Sequence, residues 1–152
     1  MTNSPDYLKP YIQAVDEHGG TFDATLWQSK EGQLLRFKTF CDFIDFNSSS
    51  IVDVGCGIGD FAEYLIAQNI QFDSFHGIDA MEAMITTANN RSIARSSFSV
   101  ADILQCTNAL TGYEWITFSG TLNAMSEQTA TQLIDAAFSA CKKGVAFNFL
   151  SN

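Results

Sequence analysis

Residues 51–65 read IVDVGCGIGDFAEYL, and this stretch decides the fold. Its apolar opening, through Val54, predicts a buried parallel strand, and three glycines then occupy alternate positions where the strand would turn into a helix. Glycine has no Cβ, so it adopts positive φ and lets a ligand approach the backbone. The following helix, predicted over residues 60–69, would direct its N-terminal amides at an anionic group. The sequence therefore predicts a ligand site at this turn.

The spacing of the glycines distinguishes between ligands. A dinucleotide fingerprint, GxGxxG, needs a third glycine where this chain has Asp60, and no GK[ST] follows to make a P-loop. What remains is the pattern DxGxGxG, which begins at Asp53. It resembles motif I of the class I S-adenosylmethionine-dependent methyltransferases. The resemblance implies that S-adenosylmethionine (SAM), with S-adenosylhomocysteine (SAH) as product, is bound at Asp53, Gly55, Cys56, Gly57 and Gly59.

Two further acids follow later strands of the predicted fold. Asp79 ends the strand-like run 75–78, and Asp102 follows the run 98–101. In the family that the loop resembles, acids at these places accept hydrogen bonds from the ribose hydroxyls and from the adenine amino group. The resemblance therefore implies ribose binding by Asp79 and adenine binding by Asp102, with Ile103 as an apolar wall. Taken alone, each acid is also explained as an N-cap or turn residue.

Three more residues join the predicted cofactor site. Ala80 and Met81 follow the ribose acid, where the family places an apolar side chain against the adenine ring. Met81 equally suits plain helix packing, so both interpretations stay open. Ser119 lies at the end of the fourth predicted strand. The resemblance implies that this strand also ends beside the cofactor.

The segment before the glycine loop contributes an arginine and two aromatic residues. In methyltransferases that the loop resembles, a residue from this region often reaches the carboxylate of the cofactor. Arg36, on a predicted helix, suits that role because a guanidinium binds a carboxylate with two hydrogen bonds. The alternatives are that Arg36 is solvated or pairs with Glu31 or Asp42. Trp27 and Tyr11 are predicted either to form part of a lid or to pack against the edge of the domain.

Strand-like runs alternate with helical patterns along the chain, which predicts a parallel sheet with helices on both faces. The predicted strands are residues 51–54, 72–78, 98–101, 115–119 and 145–150. The predicted helices are residues 32–46, 60–69, 81–90 and 126–141. We therefore predict an α/β, Rossmann-like three-layer sandwich, for which the resemblance implies the strand order 3-2-1-4-5. Residues 1–30 are expected to form a cap or lid, and residues 31–152 the SAM-binding domain.

Composition indicates one folded domain. Apolar residues make up 46% of the 152 residues and charged residues 16%, which is enough apolar material for a core and unlike a disordered chain. No apolar run approaches the roughly 20 residues that a transmembrane helix needs, and the N-terminus lacks the regions of a signal peptide, so we expect a cytoplasmic protein. The four cysteines are widely spaced without a CxxC pair, which argues against a zinc site and against a disulfide framework.

Charge limits the class of methyl acceptor. Eight basic and 17 acidic residues give a net charge of −9, which is poorly suited to nucleic acid. The fourth strand is also not followed by the Asn or Asp and two prolines found in family members that methylate base amines or glutamine amides. A small molecule, or a protein, is the expected acceptor. Of the two histidines, His76 lies within the second predicted strand, where a structural role fits, and nothing in the sequence makes His18 a base.

The resemblance therefore leads to a methyltransferase, with two alternatives left open. The first alternative is a module that binds the cofactor without catalysing transfer. The second is an NAD-dependent oxidoreductase, because Asp79 would also suit the ribose of NAD. Asp60, in place of the third fingerprint glycine, counts against the oxidoreductase.

The end of the sequence carries a further expectation. In the family, an antiparallel hairpin follows the fifth strand, whereas this sequence stops at Asn152 directly after VAFNFLS. We therefore expect the last two strands to be missing, in a truncated or a pared-down family member. The run from Val145 to Leu150 would then be an apolar edge strand, and such edges pair with other chains. This predicts either a homo-oligomer formed through that strand or poor solubility of the chain.

Overall fold

The sheet of this protein holds five strands in the described part of the chain, residues 4–149 of the computed structural model. They are β1 (Ser50–Val54), β2 (Ser74–Asp79), β3 (Ser96–Val100), β4 (Trp115–Ser119) and β5 (Gly144–Asn148). Every pairing is parallel, and the order is β3-β2-β1-β4-β5. The predicted fold class and strand order are confirmed. The predicted fifth strand ran to Leu150, which lies outside the described residues.

The helices are α1 (Lys9–His18), α2 (Lys30–Phe43), α3 (Asp60–Ala67), α4 (Glu82–Asn90) and α5 (Glu127–Ala140). Short 3-10 turns lie between them, and α1 falls within the predicted cap segment. The α2 helix begins two residues before its predicted start, because the side chain of Ser29 caps it by accepting a hydrogen bond from the amide of Gly32 at 3.0 Å. Within residues 4–149, no helix is long and apolar enough to cross a bilayer.

Two apolar clusters cover the two faces of the sheet, because successive side chains of a strand point to opposite sides. Ile51 of β1 belongs to the first cluster, which includes buried residues of α2 and α3. Its neighbour Val52 belongs to the second cluster, which includes buried residues of α5. The sheet is therefore the middle of three layers, as predicted.

A set of phenylalanines dominates the first cluster. The ring of Phe61, on α3, lies with its centroid 4.9 to 6.1 Å from four other phenylalanine rings. These are Phe37, Phe40, Phe46 and Phe75. Aromatic pairs at such distances stabilise the fold by more than the burial of their apolar area alone would. This packing fixes α3 on the sheet, and the glycine loop that precedes α3 is held in place with it.

Replacing Phe61 by alanine tests that role. Phe61 is 1% exposed, so Phe61→Ala is expected to lower the free energy of unfolding by about 3 to 5 kcal/mol, through lost transfer energy and an unfilled cavity. The matched control is Phe138→Ala on α5, because Phe138 is 72% exposed and its truncation is expected to change stability by less than about 0.5 kcal/mol. Urea unfolding followed by circular dichroism measures both. Equal effects of the two substitutions would contradict the assignment of Phe61 to the core.

Candidate functional site

A cavity of about 480 Å³ opens at the carboxyl ends of β1, β2 and β4. In open parallel sheets this is where ligands bind, next to the point at which the strand order reverses between β1 and β4. Eleven of the twelve predicted site residues line this cavity. They are Arg36, Asp53, Gly55, Cys56, Gly57, Asp79, Ala80, Met81, Asp102, Ile103 and Ser119.

Gly59 is the predicted site residue that does not line the cavity. It is the N-cap of α3 with φ of 85°, and a Cβ at this position would lie 2.9 Å from Cζ of Phe98 and 3.2 Å from Cδ1 of Ile93. Distances below 3.0 Å leave no room for a side chain without a shift of the neighbour. The close packing at Gly59 lets α3 start near the sheet, and a cofactor contact at this residue stays a prediction.

The other two glycines of the loop face the cavity. Gly55 has φ of 73°, and a Cβ there would lie 2.2 Å from Oγ1 of Thr121, whose hydroxyl donates to the carbonyl of Val54 at 2.7 Å. Gly57 has φ of 55°. A Cβ added to Gly57 would lie 3.4 Å from its nearest neighbour, the methyl carbon of Thr25. The loop thus presents bare backbone to the cavity, as the sequence predicts.

Asp79 connects the end of β2 to the glycine loop. Its Oδ2 accepts a hydrogen bond from the amide of Gly57 at 2.9 Å, and its Oδ1 accepts one from the amide of Met81 at 2.9 Å. Burial raises the pKa of Asp79, while these backbone donors act in the opposite direction. An ionised carboxylate has about four acceptor positions, so both oxygens can still accept from a ligand. Asp79 therefore serves the loop and remains available to a diol.

The carboxyl group of Asp53 is buried beneath the loop and accepts a hydrogen bond from one hydroxyl group. Thr117, its register partner on β4, donates to Oδ1 of Asp53 at 2.6 Å. Burial raises the pKa of Asp53 to about 7, the bond from Thr117 opposes that shift, and the charge of Asp79 adds to it. The carboxyl group therefore exchanges its proton near neutral pH. A cationic ligand group would favour the ionised form.

Asp102 has the capping role that the sequence left open, and it also accepts a hydrogen bond from the N-terminal segment. Its Oδ1 accepts from the amide of Leu104 at 3.1 Å, which caps the short 3-10 helix Ile103–Gln105. Its Oδ2 accepts from the hydroxyl of Tyr7 at 2.6 Å. Burial, and next the bond to Asp102, raise the pKa of Tyr7. Tyr7 is a site residue that sequence reasoning missed, because no pattern links position 7 to position 102.

The N-terminal segment covers the cavity. Tyr11 and Trp27 both line it, and a Cβ on Gly120 would lie 3.0 Å from the indole of Trp27. The segment is anchored at Gly20, whose carbonyl accepts from the hydroxyl of Thr87 on α4 at 2.7 Å. That the two aromatic residues form part of a lid stays a prediction.

Arg36 and Gln33 present polar groups to the cavity from α2. The sequence left Glu31 and Asp42 as possible partners of Arg36, but Asp42 pairs with Lys38 at 2.6 Å, and no described residue forms an ion pair with Arg36. Gln33 is 3% exposed, and its Nε2 donates to Oδ2 of Asp60 at 3.1 Å. Its Oε1 is buried without a hydrogen-bond partner among residues 4–149.

Neither histidine lines the cavity. The ring nitrogens of His76 lie 2.8 Å from the hydroxyls of Ser97 and Ser99, which fits the structural role predicted for it. Cys56 does line the cavity, but burial raises the pKa of its thiol well above the ordinary value, so it stays protonated. The described residues contain no group of three side chains placed to hold a metal ion.

Solved structures show the same fold. DhpI in the DhpI-SAM-HEP complex superposes with a TM-score of 0.75 at 14% identity, over 99% of this chain and 69% of that one. A SAM-dependent methyltransferase from Clostridium acetobutylicum gives a TM-score of 0.62 at 19% identity, over 82% of this chain and 52% of that one. Phosphoethanolamine N-methyltransferase 1 of Haemonchus contortus, solved with phosphoethanolamine and SAH, gives 0.65 at 13% identity, over 90% of this chain and 29% of that one.

These neighbours show that the chain has the fold of SAM-dependent methyltransferases. The sequence profile of the methyltransferase domain family matches residues 51–144, and the chain belongs to that family. No curated protein matches the sequence. The chain spans about half the length of the Clostridium acetobutylicum enzyme and less than a third of the Haemonchus contortus enzyme. Membership of this family favours the methyltransferase over the oxidoreductase alternative.

The shifted pKa of Asp53 makes stability depend on pH. Because the folded chain holds this proton up to about pH 7 and the unfolded chain only to about pH 4, the contribution of Asp53 to the free energy of unfolding is largest below pH 4. This contribution falls by up to about 1.4 kcal/mol per pH unit between pH 4 and pH 7, and it is constant above pH 7. Asp53→Asn cannot ionise, so its stability relative to wild type should rise through that window.

Urea unfolding at intervals from pH 4 to pH 9 measures this difference. The control is Asp73→Asn, at an exposed position, for which the difference from wild type should stay flat. A difference for Asp53→Asn that is equally flat would show that Asp53 is ionised throughout the window.

Proposed function

We propose that this protein is an enzyme that transfers the methyl group of SAM to a small-molecule acceptor. One observation carries the proposal. The backbone of the glycine loop and three carboxylates, those of Asp53, Asp79 and Asp102, line the same cavity. Asp53 lies within β1 next to its last residue, Asp79 ends β2 and Asp102 follows β3, so a ligand that contacts all three spans the ends of three strands. A nucleoside with an amino-acid tail has that extent and that chemistry.

The roles proposed for the residues follow from their contacts. Asp79 would accept from the two ribose hydroxyls, and Asp102 from the adenine amino group beside Ile103. Met81 and Ala80 would contact the adenine ring, and the amides of the glycine loop would face the amino-acid tail. The guanidinium of Arg36, which forms no ion pair with any described residue, would bind the carboxylate of that tail. Ser119 and Gly120, at the end of β4, would lie near the transferred methyl group.

Methyl transfer requires of the protein mainly that it align the acceptor with the cofactor. The sulfonium of SAM supplies an electrophilic methyl carbon, which an acceptor displaces in line. The chain would hold the acceptor against that carbon and exclude water, as the aromatic residues of the N-terminal segment permit. We propose residues 1–30 as this lid. Because no histidine lines the cavity, an acceptor that is already nucleophilic suits the site best.

Two features support a small acceptor. The cavity of about 480 Å³ lies beneath the N-terminal segment, so a cofactor within it leaves limited space. The Haemonchus contortus enzyme, which has this fold, was solved with phosphoethanolamine, a small molecule. The acidic balance of the chain argues further against nucleic acid. A methyl-labelled cofactor incubated with a metabolite extract, and with HEP and phosphoethanolamine singly, would separate catalysis from binding without transfer.

Cofactor binding gives the sharpest test of the site. Asp79→Ala is expected to weaken the binding of SAH by at least about 10- to 100-fold, because hydrogen bonds to a charged acceptor are each about 1.5 to 3 kcal/mol. Isothermal titration calorimetry with SAH and, separately, with NAD measures the effect. The control is Asp73→Ala, an exposed acid outside the cavity, which should bind SAH like wild type. Unchanged SAH affinity of Asp79→Ala, or tight NAD binding without SAH binding, contradicts the proposal.

We also propose that two copies of the chain associate through β5. This strand is at an edge of the sheet, and β4 is its partner among the described strands. Phe147 and Phe149 are 41% and 55% exposed, and their rings stack with centroids 6.0 Å apart. An exposed apolar edge strand is a template for pairing with a second chain. The predicted surface also included Leu150, which lies outside the described residues.

Phe147→Lys should weaken this association by at least about 10-fold, because it places a charge in an apolar contact. Sedimentation velocity over a range of concentrations measures the change. The control is Phe138→Lys, which adds the same charge on exposed α5 and should leave association unchanged. A wild-type chain that remains monomeric at high concentration contradicts the proposed interface.

A further inference from the structure

A single side-chain hydrogen bond fastens the first part of the N-terminal segment to the sheet. The hydroxyl of Tyr7 donates to Oδ2 of Asp102 at 2.6 Å, a length typical of a hydroxyl group on a carboxylate. Among the described residues, this is the only side-chain hydrogen bond from residues 4–17 to any residue beyond position 29. The bond therefore joins the beginning of the chain to the residues that follow β3.

Little apolar packing supports that bond. The 3-10 turn Asp6–Leu8 has no buried residue, and Ala14 is the one buried residue of α1. Ala14 belongs to a small apolar cluster with Ala24, Ile58 and Met84, which holds the second half of the helix. Segments with few buried apolar contacts open locally at a low cost in free energy. The turn and the first half of α1 can therefore move away while the rest of the fold stays intact.

The other end of α1 is anchored at a pair of glycines. Gly19 ends the helix with φ of 64°, and a Cβ at this position would meet nothing within 4 Å. Gly20 is fixed on α4, because its carbonyl accepts from the hydroxyl of Thr87 at 2.7 Å and a Cβ would lie 2.3 Å from the carbonyl oxygen of Ala83. Because α1 is about 15 Å long, a small rotation at Gly19 would move Tyr7 by several ångströms.

Such a movement would open the cavity. Tyr7, Leu8, Pro10 and Tyr11 line it, so the 3-10 turn and the first half of α1 form one of its walls. With the bond between Tyr7 and Asp102 in place, the cavity has a volume of about 480 Å³. The bond is therefore compatible with a filled cavity, and what it opposes is the passage of a ligand through this wall.

We propose that the Tyr7–Asp102 bond is a latch that controls exchange of the cofactor, with Gly19 as the hinge. The latch keeps the wall closed in the free and in the occupied chain, and SAM enters and SAH leaves while it is open. The inference rests on the proposed function, since it concerns exchange of the same cofactor. Because the latch forms in both states, it sets the rates of binding and release and leaves the affinity unchanged.

Stopped-flow binding of SAH, followed by tryptophan fluorescence, tests the latch, since Trp27 lines the cavity. Tyr7→Phe removes the hydroxyl and keeps the ring. It should raise the association and the dissociation rate constants together by about 10- to 100-fold, the strength of a hydrogen bond to a charged acceptor, and leave the dissociation constant unchanged. The matched control is Tyr113→Phe, the same change at a tyrosine outside the cavity, which should alter neither rate constant.

The accessibility of a thiol in the free protein gives a second measurement that needs no cofactor. Cys56 is buried and lines the cavity, so its alkylation by iodoacetamide should become faster in Tyr7→Phe by a similar factor. Peptide mass spectrometry measures the reaction at each cysteine. Cys141 is half-buried and lies outside the cavity, and its alkylation should not change. A general loss of stability would accelerate both reactions.

Rate constants of Tyr7→Phe that both stay at their wild-type values overturn the inference. A change in only one of them also overturns it, because loss of a contact with the cofactor would speed release alone. Alkylation of Cys56 at the wild-type rate, or equal acceleration at Cys56 and Cys141, has the same consequence. In each of these cases the chain still binds SAH, and the proposed function stands. A wild-type chain that binds no SAH overturns the proposed function together with the inference.

Discussion

The carboxylate of Asp79 and the amide of Gly57 hold each other in place at the end of the sheet. This bond joins the last residue of β2 to the loop that follows β1, so the loop cannot move away from its neighbouring strand. The amides of Gly55 and Cys56 add two bonds to the carbonyl of Ile78, at 2.7 and 3.1 Å. With the backbone fixed in this way, the cavity has a rigid floor before any ligand arrives, which lowers the ordering cost of binding.

Charge around that floor is arranged in two groups. Asp53 and Asp79 are buried in the cavity wall, and their mutual repulsion contributes to the raised pKa of Asp53. On the far side of the loop, Asp60 is surrounded by Arg91, Lys30 and the amide of Gln33. Asp53 and Asp79 have no basic partner among the described residues, whereas Lys30 and Arg91 balance the charge of Asp60. A ligand with a cationic sulfonium and an ammonium supplies what the first group lacks, which explains why such a site tolerates two buried acids.

The N-terminal segment completes the cavity through contacts far apart in the sequence. Tyr7 reaches Asp102 at the end of β3, and Trp27 lies over Gly120 at the end of β4. Thr87 holds the segment on α4 through the carbonyl of Gly20, where a side chain would meet the carbonyl oxygen of Ala83 at 2.3 Å. These contacts place aromatic rings of the N-terminal segment against the cavity.

The sequence by itself determined the sheet and most of the site, because both depend on local pattern. Apolar runs ending in Asp or Gly fixed the strands, and the DxGxGxG spacing separated this loop from a dinucleotide fingerprint. Tertiary structure decided what local pattern does not encode. It packed Gly59 against Phe98, brought Thr117 to Asp53 and Tyr7 to Asp102, and left Oε1 of Gln33 without a hydrogen-bond partner among residues 4–149. Each of these depends on residues from different elements meeting at one edge of the sheet, and sequence spacing carries no measure of that distance.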